Sequence, residues 1–319
     1  MNILEIKNLE VSVKTIDGNV KILRDVSLSI GENEIVGLVG ESGCGKTMTA
    51  RSIMKLLPEN TKIDKGEIFL QGEDIVKKDE REMRKIRGGK VSMIFQEPSS
   101  YLNPVFTVGT QIEEAVKGIR DKREKKERVY KILEEVGLER SIYFRYPHQL
   151  SGGMQQRVMI GMALINNPLL LIADEPTTAL DITTAHMIIE LLKKLMNSHR
   201  VSILFITHDI SLSVYFSHRI AVMYAGKIVE ISPSSEIFKN PVHPYTERLI
   251  ACLPERYRKG EKIKAIEGEV PDFRNLPPGC PFNPRCPYRM KICEEREPEE
   301  RRVGKSIVRC FKYGNTVEN

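Results

Sequence analysis

No apolar stretch in this sequence approaches the ~20 consecutive residues that a helix needs to cross a bilayer, so the chain is not expected to span a membrane alone. The opening residues, Met1 to Glu10, lack the basic segment and long apolar core of a secretory signal and soon alternate as a strand does. These absences point to the cytoplasm. A one-signed charge field is missing too. The formal charge is +6, but Lys and Arg are interspersed with Glu and Asp, as across Ile119 to Arg128, which reads as a solvated helix face with i,i+4 pairs. Nucleic acid is not an expected partner. In a reducing compartment the six cysteines are ligands, packing residues or reactive thiols rather than disulfides.

What is present suits one large α/β domain with a smaller extension: 319 residues, of which 41% are hydrophobic and 29% charged. Strand patterns at Ile3 to Leu9, Val26 to Ile30 and Glu34 to Val39 precede a glycine-rich turn and a helix from Lys46 to about Leu57, stopped by Pro58. Gly66 to Leu70 and Val91 to Phe95 read as strands, and Val108 to Glu139 as helices, part of a helical insert at about 97–160. The short apolar runs Leu169 to Ala173 and Ser202 to Ile206, with a helix around Ala185 to Met196 between them, suit central strands of a mainly parallel sheet. Strands alternating with helices predict an α/β nucleotide-binding fold. From Asn240 the composition turns proline-rich and cysteine-rich, which predicts domains at 1–240 and 241–319.

Residues 40–47, GESGCGKT, fit G-x-x-x-x-G-K-[ST] after a predicted strand and before a predicted helix. Gly40, Gly43 and Gly45 let backbone N–H groups of the loop, which also contains Glu41, Ser42 and Cys44, point at phosphate oxygens beside a helix N-terminus. Lys46 is expected to reach the β- and γ-phosphates of ATP, and Thr47 to give its hydroxyl to Mg²⁺. In LLLIADE two carboxylates end a buried strand, where an unpaired charge is costly. Asp174 is the candidate for holding Mg²⁺ through water and Glu175 for general base. Each motif occurs once, so a second ATP-binding half has to come from another chain.

P-loop proteins include kinases, helicases and motors, and the sequence 150–157, LSGGMQQR, narrows the choice. Alone, a Ser-Gly-Gly reads as a helix cap; the full string resembles the signature of ABC ATPases. Gln96 is similar to the Q-loop glutamine of that family, Asp181 to its D-loop aspartate and His208 to its switch histidine. The resemblance implies a P-loop NTPase core with a helical subdomain and a head-to-tail dimer. In that dimer Ser151, Gly152 and Gly153 of one subunit would contact the γ-phosphate bound by Lys46 of the other. His208 would stabilise developing charge, and Gln96 would sense Mg²⁺ and water. One departure stands out. The family carries an aromatic that stacks on adenine near the end of the first strand, where this chain has Val13, so packing on Val13 or Ile22 would replace it.

Cys280, Cys286, Cys293 and Cys310 lie among prolines, and four thiolates suit tetrahedral zinc or a cubane iron–sulfur cluster, with free thiols the remaining possibility. The strings NPVHPYTERLI and GEVPDFRNLPPGCPFNPRCP resemble the C-terminal extension of ATP-binding subunits of dipeptide and oligopeptide importers. That resemblance implies a [4Fe-4S] cluster on the four cysteines, two integral membrane permeases, an external peptide-binding protein and a related but non-identical second ATPase, with a homodimer also open. It places the chain peripherally on the cytoplasmic face of the membrane. A nickel or other solute importer is the nearer alternative. A soluble ABC ATPase of translation or DNA repair is the more distant one, since neither a second ATPase half nor a long coiled coil is evident. Cys44 reads as a tolerated small residue and Cys252 as core packing.

Overall fold

Five consecutive residues of Ile35–Val39 are all buried, as are all five of Leu170–Asp174, the continuous pattern of strands covered on both faces. A computed structural model of the chain describes residues 2–253, 256–257 and 266–314. Its strands are β1 (Asn2–Thr15), β2 (Gly18–Gly31), β3 (Ile35–Val39), β4 (Thr61–Leu70), β5 (Glu73–Asp74), β6 (Val91–Ile94), β7 (Leu170–Asp174), β8 (Ser202–Thr207), β9 (Arg219–Tyr224), β10 (Lys227–Pro233), β11 (Arg301–Val303) and β12 (Ser306–Val308). Its α-helices are α1 (Lys46–Met54), α2 (Glu80–Ile86), α3 (Val108–Ala115), α4 (Lys122–Glu135), α5 (Gly152–Leu164), α6 (Ile182–His199), α7 (Ile210–Phe216), α8 (Ser234–Ile237), α9 (Pro244–Ala251) and α10 (Ile292–Glu295). The chain folds as two compact units, one of residues 1–4, 30–34 and 70–206, the other of 5–29, 35–69 and 207–319.

In the first unit β7 lies between β6 and β8, parallel to both, with Ile94 opposite Ala173 and Asp174 opposite Ile206. Parallel neighbours require crossovers, and α6, which buries Ile188, Ile189, Leu192, Leu195 and Met196 on one stripe, supplies the one from β7 to β8. Helices α3, α4 and α5 pack on one another. The charged start of α4 is mostly exposed, as expected, but Lys126 sits over the rings of Tyr130, Tyr143 and Phe144 at 5.7, 5.1 and 5.2 Å. Arg128 donates to the Ile165 carbonyl. Those two cations are therefore partly structural.

The second unit differs from a mainly parallel expectation. Strand β3 is parallel to β9, but β9, β10, β12 and β11 follow as antiparallel neighbours. A two-residue turn imposes this: Ala225 and Gly226 both have positive φ, 45° and 77°, the geometry that matches hairpin twist. The proline-rich segment then returns to the sheet, where β12 pairs with β10 and Glu230 faces Val308. Helix α1 ends at Met54, short of the predicted Leu57, because Lys55 turns left-handed with φ 48° and caps the helix. The apolar core here includes Tyr224, Tyr245 and Phe282, whose rings meet at 4.6, 5.2 and 5.4 Å.

Candidate functional site

The phosphate-loop candidate belongs to the second unit. Strand β3 delivers Gly40, and a Cβ there would lie 2.2 Å from the Met223 carbonyl oxygen, so no side chain fits. Gly43 and Gly45 take φ values of 78° and 114° and turn the chain into α1. Lys46 heads that helix and is 5% exposed. Its Nζ donates to the carbonyls of Gly40 at 2.8 Å and Glu41 at 3.1 Å rather than to a carboxylate. A buried ammonium held by two carbonyl dipoles, with the Cys44 sulfur 4.0 Å away, beside a helix N-terminus is a site that phosphate would complete. The cradle therefore fits a nucleotide. Ser42 and Thr47 are exposed, whereas Cys44 is buried and burial pushes its thiol up, in keeping with a packing role. His208 follows β8 on the exposed side, and Asp209 caps α7 beyond it through the Leu212 N–H at 3.0 Å. Val13 and Ile22 are both half-buried.

The first unit brings together Gln96, Asp174 and Glu175 at the C-terminal ends of β6 and β7. Asp174 is 3% exposed. Glu175 adopts φ 48°, a left-handed backbone rarely taken by a glutamate, and its N–H donates to the Ile206 carbonyl at 2.9 Å. Its Oε2 accepts Gln96 Nε2 at 3.3 Å and the Thr178 hydroxyl at 2.9 Å. Thr178 was not legible as a site residue from sequence, where it is one hydroxyl in a short polar run.

Ser151 caps α5, accepting from the Met154 N–H at 3.4 Å, and Asp181 caps α6, accepting from the Thr184 N–H at 3.0 Å and hydroxyl at 2.6 Å. These Thr184 hydrogen bonds hold the Asp181 carboxyl below the usual carboxylate range. A Cβ on Gly153 would sit 2.7 Å from the Thr184 methyl, so glycine lets the two helix starts approach. Ser151, Gly152, Gly153 and Asp181 border an open groove of about 680 Å³. Ser151 and the first residues of α5 border that groove, and a helix start is suited to an anionic ligand.

Two residues of the C-terminal strings, which sequence linked to the transporter extension and not to the nucleotide site, touch the phosphate loop within its own unit. Arg285 makes a two-pronged ion pair with Glu41, at 2.8 and 3.0 Å, and the Tyr245 hydroxyl accepts the Glu41 N–H at 3.0 Å. Their separations of 244 and 204 residues explain why no local string announces them.

The expected iron–sulfur cluster on Cys280, Cys286, Cys293 and Cys310, and the zinc alternative, are overturned. Among the described residues no group of three or more His, Cys, Asp or Glu side chains is placed to hold a metal ion. The four thiols do border one void, shared with Phe282, Phe311 and His243, but it measures only about 20 Å³, close to the room one water needs. Burial favours the neutral thiol, pushing Cys280 up to about 12 and raising Cys286 and Cys310. The loop is closed by its own hydrogen bonds instead, with the Cys280 N–H donating to the Cys293 carbonyl at 2.8 Å and the Asn283 side-chain Nδ2 to the same oxygen at 3.3 Å. Cys252 caps the C-terminus of α9 and is half-buried.

Comparison with known proteins finds two family matches in the chain. Residues 23–178 match the family described as "ABC transporter", and residues 229–293 match "Oligopeptide/dipeptide transporter, C-terminal region". The dipeptide transport ATP-binding protein DppD of Bacillus subtilis is 43% identical, across 99% of this chain and 96% of that protein. The oligopeptide transport ATP-binding protein AppD of the same organism is 44% identical, across 98% and 97%. Among solved structures, the dimeric post-hydrolysis state of the ATP-binding cassette MJ0796 bound to ADP and Pi aligns with a TM-score of 0.65 at 32% identity, covering 72% of this chain and 98% of that one. The fold is that of an ABC-type P-loop ATPase with mixed α/β sheets.

Proposed function

Because the chain belongs to the ATP-binding proteins of dipeptide and oligopeptide ABC transporters, we propose that it is the motor that drives uptake of short peptides through two permease subunits. It is an ATPase. The observation that carries the residue assignments is the buried Lys46 ammonium, held by loop carbonyls at the head of α1 with no room for a side chain at Gly40.

In this reading the backbone of residues 40–47 and Lys46 bind the phosphates of ATP. Thr47, Asp174 and Gln96 would hold Mg²⁺, which when bound offsets phosphate charge. Glu175 takes the proton of the attacking water, with Gln96 and Thr178 fixing the direction of its carboxylate. His208 stabilises charge that develops on the phosphate. Ser151, Gly152 and Gly153, at the groove beside Asp181, meet the nucleotide of a second ATPase subunit, so ATP favours the closed pair by its greater affinity for that state. The helical insert at about 97–160 passes this closure to a permease, and the segment from about 241 is the transporter-specific extension. The chain acts at the cytoplasmic face of the membrane. No helix among the described residues is long and apolar enough to cross a membrane. The second ATPase is a related chain, and an external binding protein delivers the peptide. Nickel uptake and a soluble role in translation or repair are less well supported, because full-length similarity runs to peptide transport proteins.

Reconstitution with the permeases in vesicles tests the reading. ATP-dependent accumulation of labelled di- to pentapeptides that is lost in Glu175→Gln is the expected result. Accumulation of nickel but no peptide would overturn the substrate assignment.

A further inference from the structure

Glu41 is gripped from three sides, all within the second unit. Its carbonyl accepts Lys46 Nζ at 3.1 Å, its N–H donates to the Tyr245 hydroxyl at 3.0 Å, and both carboxylate oxygens accept from Arg285, at 2.8 and 3.0 Å. The ion pair is not a surface accident, since the Arg285 side chain is 4% exposed and that of Glu41 22%. Arg285 is itself oriented: its Nε donates to the Glu267 carbonyl at 3.1 Å and Nη1 to the Tyr224 hydroxyl at 3.3 Å. Tyr245 is equally fixed, fully buried against Tyr224 and Phe282, with its own N–H donated to His243 Nδ1 at 3.0 Å.

Such a grip answers a physical need. Three glycines in the loop of residues 40–45 leave its backbone with little intrinsic preference, and a loop that must present N–H groups to phosphate loses affinity when binding also has to order it. The Glu41 N–H points to Tyr245 and its carboxylate to Arg285, so neither is directed at a ligand. We propose that Arg285 and Tyr245 are positioning residues for the phosphate loop, which makes the C-terminal segment part of the ATP site and turns Glu41 from a nucleotide ligand into the anchor of that loop. The inference rests on reading residues 40–47 as the phosphate site.

Titration of the full chain with a fluorescent ATP analogue and Mg²⁺, together with kcat and KM, tests both layers separately. Tyr245→Phe and Arg285→Lys should each raise Kd and KM for nucleotide about three- to tenfold while kcat stays within about twofold, because one or two hydrogen bonds to the loop are lost and no reacting group is touched. Glu41→Gln should weaken binding similarly, and adding Arg285→Gln to it should weaken binding no further, since the two act through one contact. Strictly additive effects in that double variant, or wild-type Kd in folded Tyr245→Phe and Arg285→Lys, would overturn the proposal. Lys46→Ala separates the underlying reading. If it binds nucleotide as tightly as the wild type, the phosphate site itself is misplaced; if it alone loses binding, only the anchoring role fails. Should Arg285 variants fail to fold, Tyr245→Phe, which removes a single oxygen, still decides the matter.

Discussion

Gln96 Nε2 and the Thr178 hydroxyl converge on one oxygen of Glu175, at 3.3 and 2.9 Å, and leave the other oxygen outside that pair of bonds. A general base works through a lone pair of defined direction, and two donors on Oε2 set the plane of the carboxylate. Glu175→Gln should therefore lower ATP turnover by about 10²–10⁴-fold and leave nucleotide binding intact, as stopped-flow binding beside phosphate release would register. Thr178→Val removes one of the two donors and should lower kcat by about three- to tenfold with KM unchanged. A change in KM alone would contradict the orienting role.

Gly153 and Thr184 give a second prediction. A methyl at residue 153 would press on Thr184 Cγ2 at 2.7 Å, and Thr184 cannot swing away freely because its hydroxyl is bonded to Asp181 at 2.6 Å. Gly153→Ala should push the starts of α5 and α6 apart. ATP binding to the monomer should persist, while ATP-dependent dimerisation in a Glu175→Gln background, followed by size-exclusion chromatography, should be lost. Ser151→Ala should cost about 1 kcal/mol of stability through its missing cap, as well as weakening that dimer.

Gly40 is the position where substitution should do most harm to the loop. The Met223 carbonyl that a Cβ would strike belongs to β9, a strand hydrogen-bonded on both sides within its unit, so it cannot yield as a side chain could. Gly40→Ala should lower stability by about 1–3 kcal/mol and abolish nucleotide binding, measured by thermal unfolding with and without ATP. Retained stabilisation by ATP would show that the loop tolerates the shift.

Acid should destabilise the second unit through His243. The side chain is 2% exposed, and burial holds its imidazole down at about 3, far below an ordinary histidine. Its Nδ1 accepts the Tyr245 N–H, so the neutral ring is the one that caps α9. Below pH ~6.5 the unfolded chain binds a proton that the folded chain refuses, so this contribution is complete above that pH and is lost as pH falls toward about 3. At pH 5 the loss should reach about 2 kcal/mol. His243→Asn, which keeps a cap without the titration, should flatten the fall in melting temperature between pH 7.5 and 5.

How much of this was legible beforehand depended on how local the chemistry is. Gly40, Lys46, Asp174, Glu175 and Ser151 sit in short strings because a strand end or helix start must hold them, and the string and its flanking apolar run can be read together. The mixed sheet of the second unit was not legible as such, since the hairpin that reverses β10 depends on positive φ at Ala225 as well as Gly226. The cysteines misled for a related reason: prolines and thiols suggest a cage, but only the packing of Phe282 and Phe311 beside them reveals how little space remains. Arg285 and Thr178 acquire roles only when the chain returns to them.

The pairing of β12 with β10 has a consequence for the protein's biogenesis. Ser232 and Ser306, hydrogen-bonded across those strands at 2.7 Å, are 74 residues apart. At translation rates of about 5–20 residues per second, β10 waits roughly 4 to 15 s for its neighbour. During that interval it presents an open edge carrying Ile228, Val229 and Ile231, the kind of surface on which nascent chains stick to one another. The newly made motor therefore passes through a vulnerable period set by its topology, and its yield in cells should depend on chaperone capacity more steeply than the stability of the finished fold would suggest.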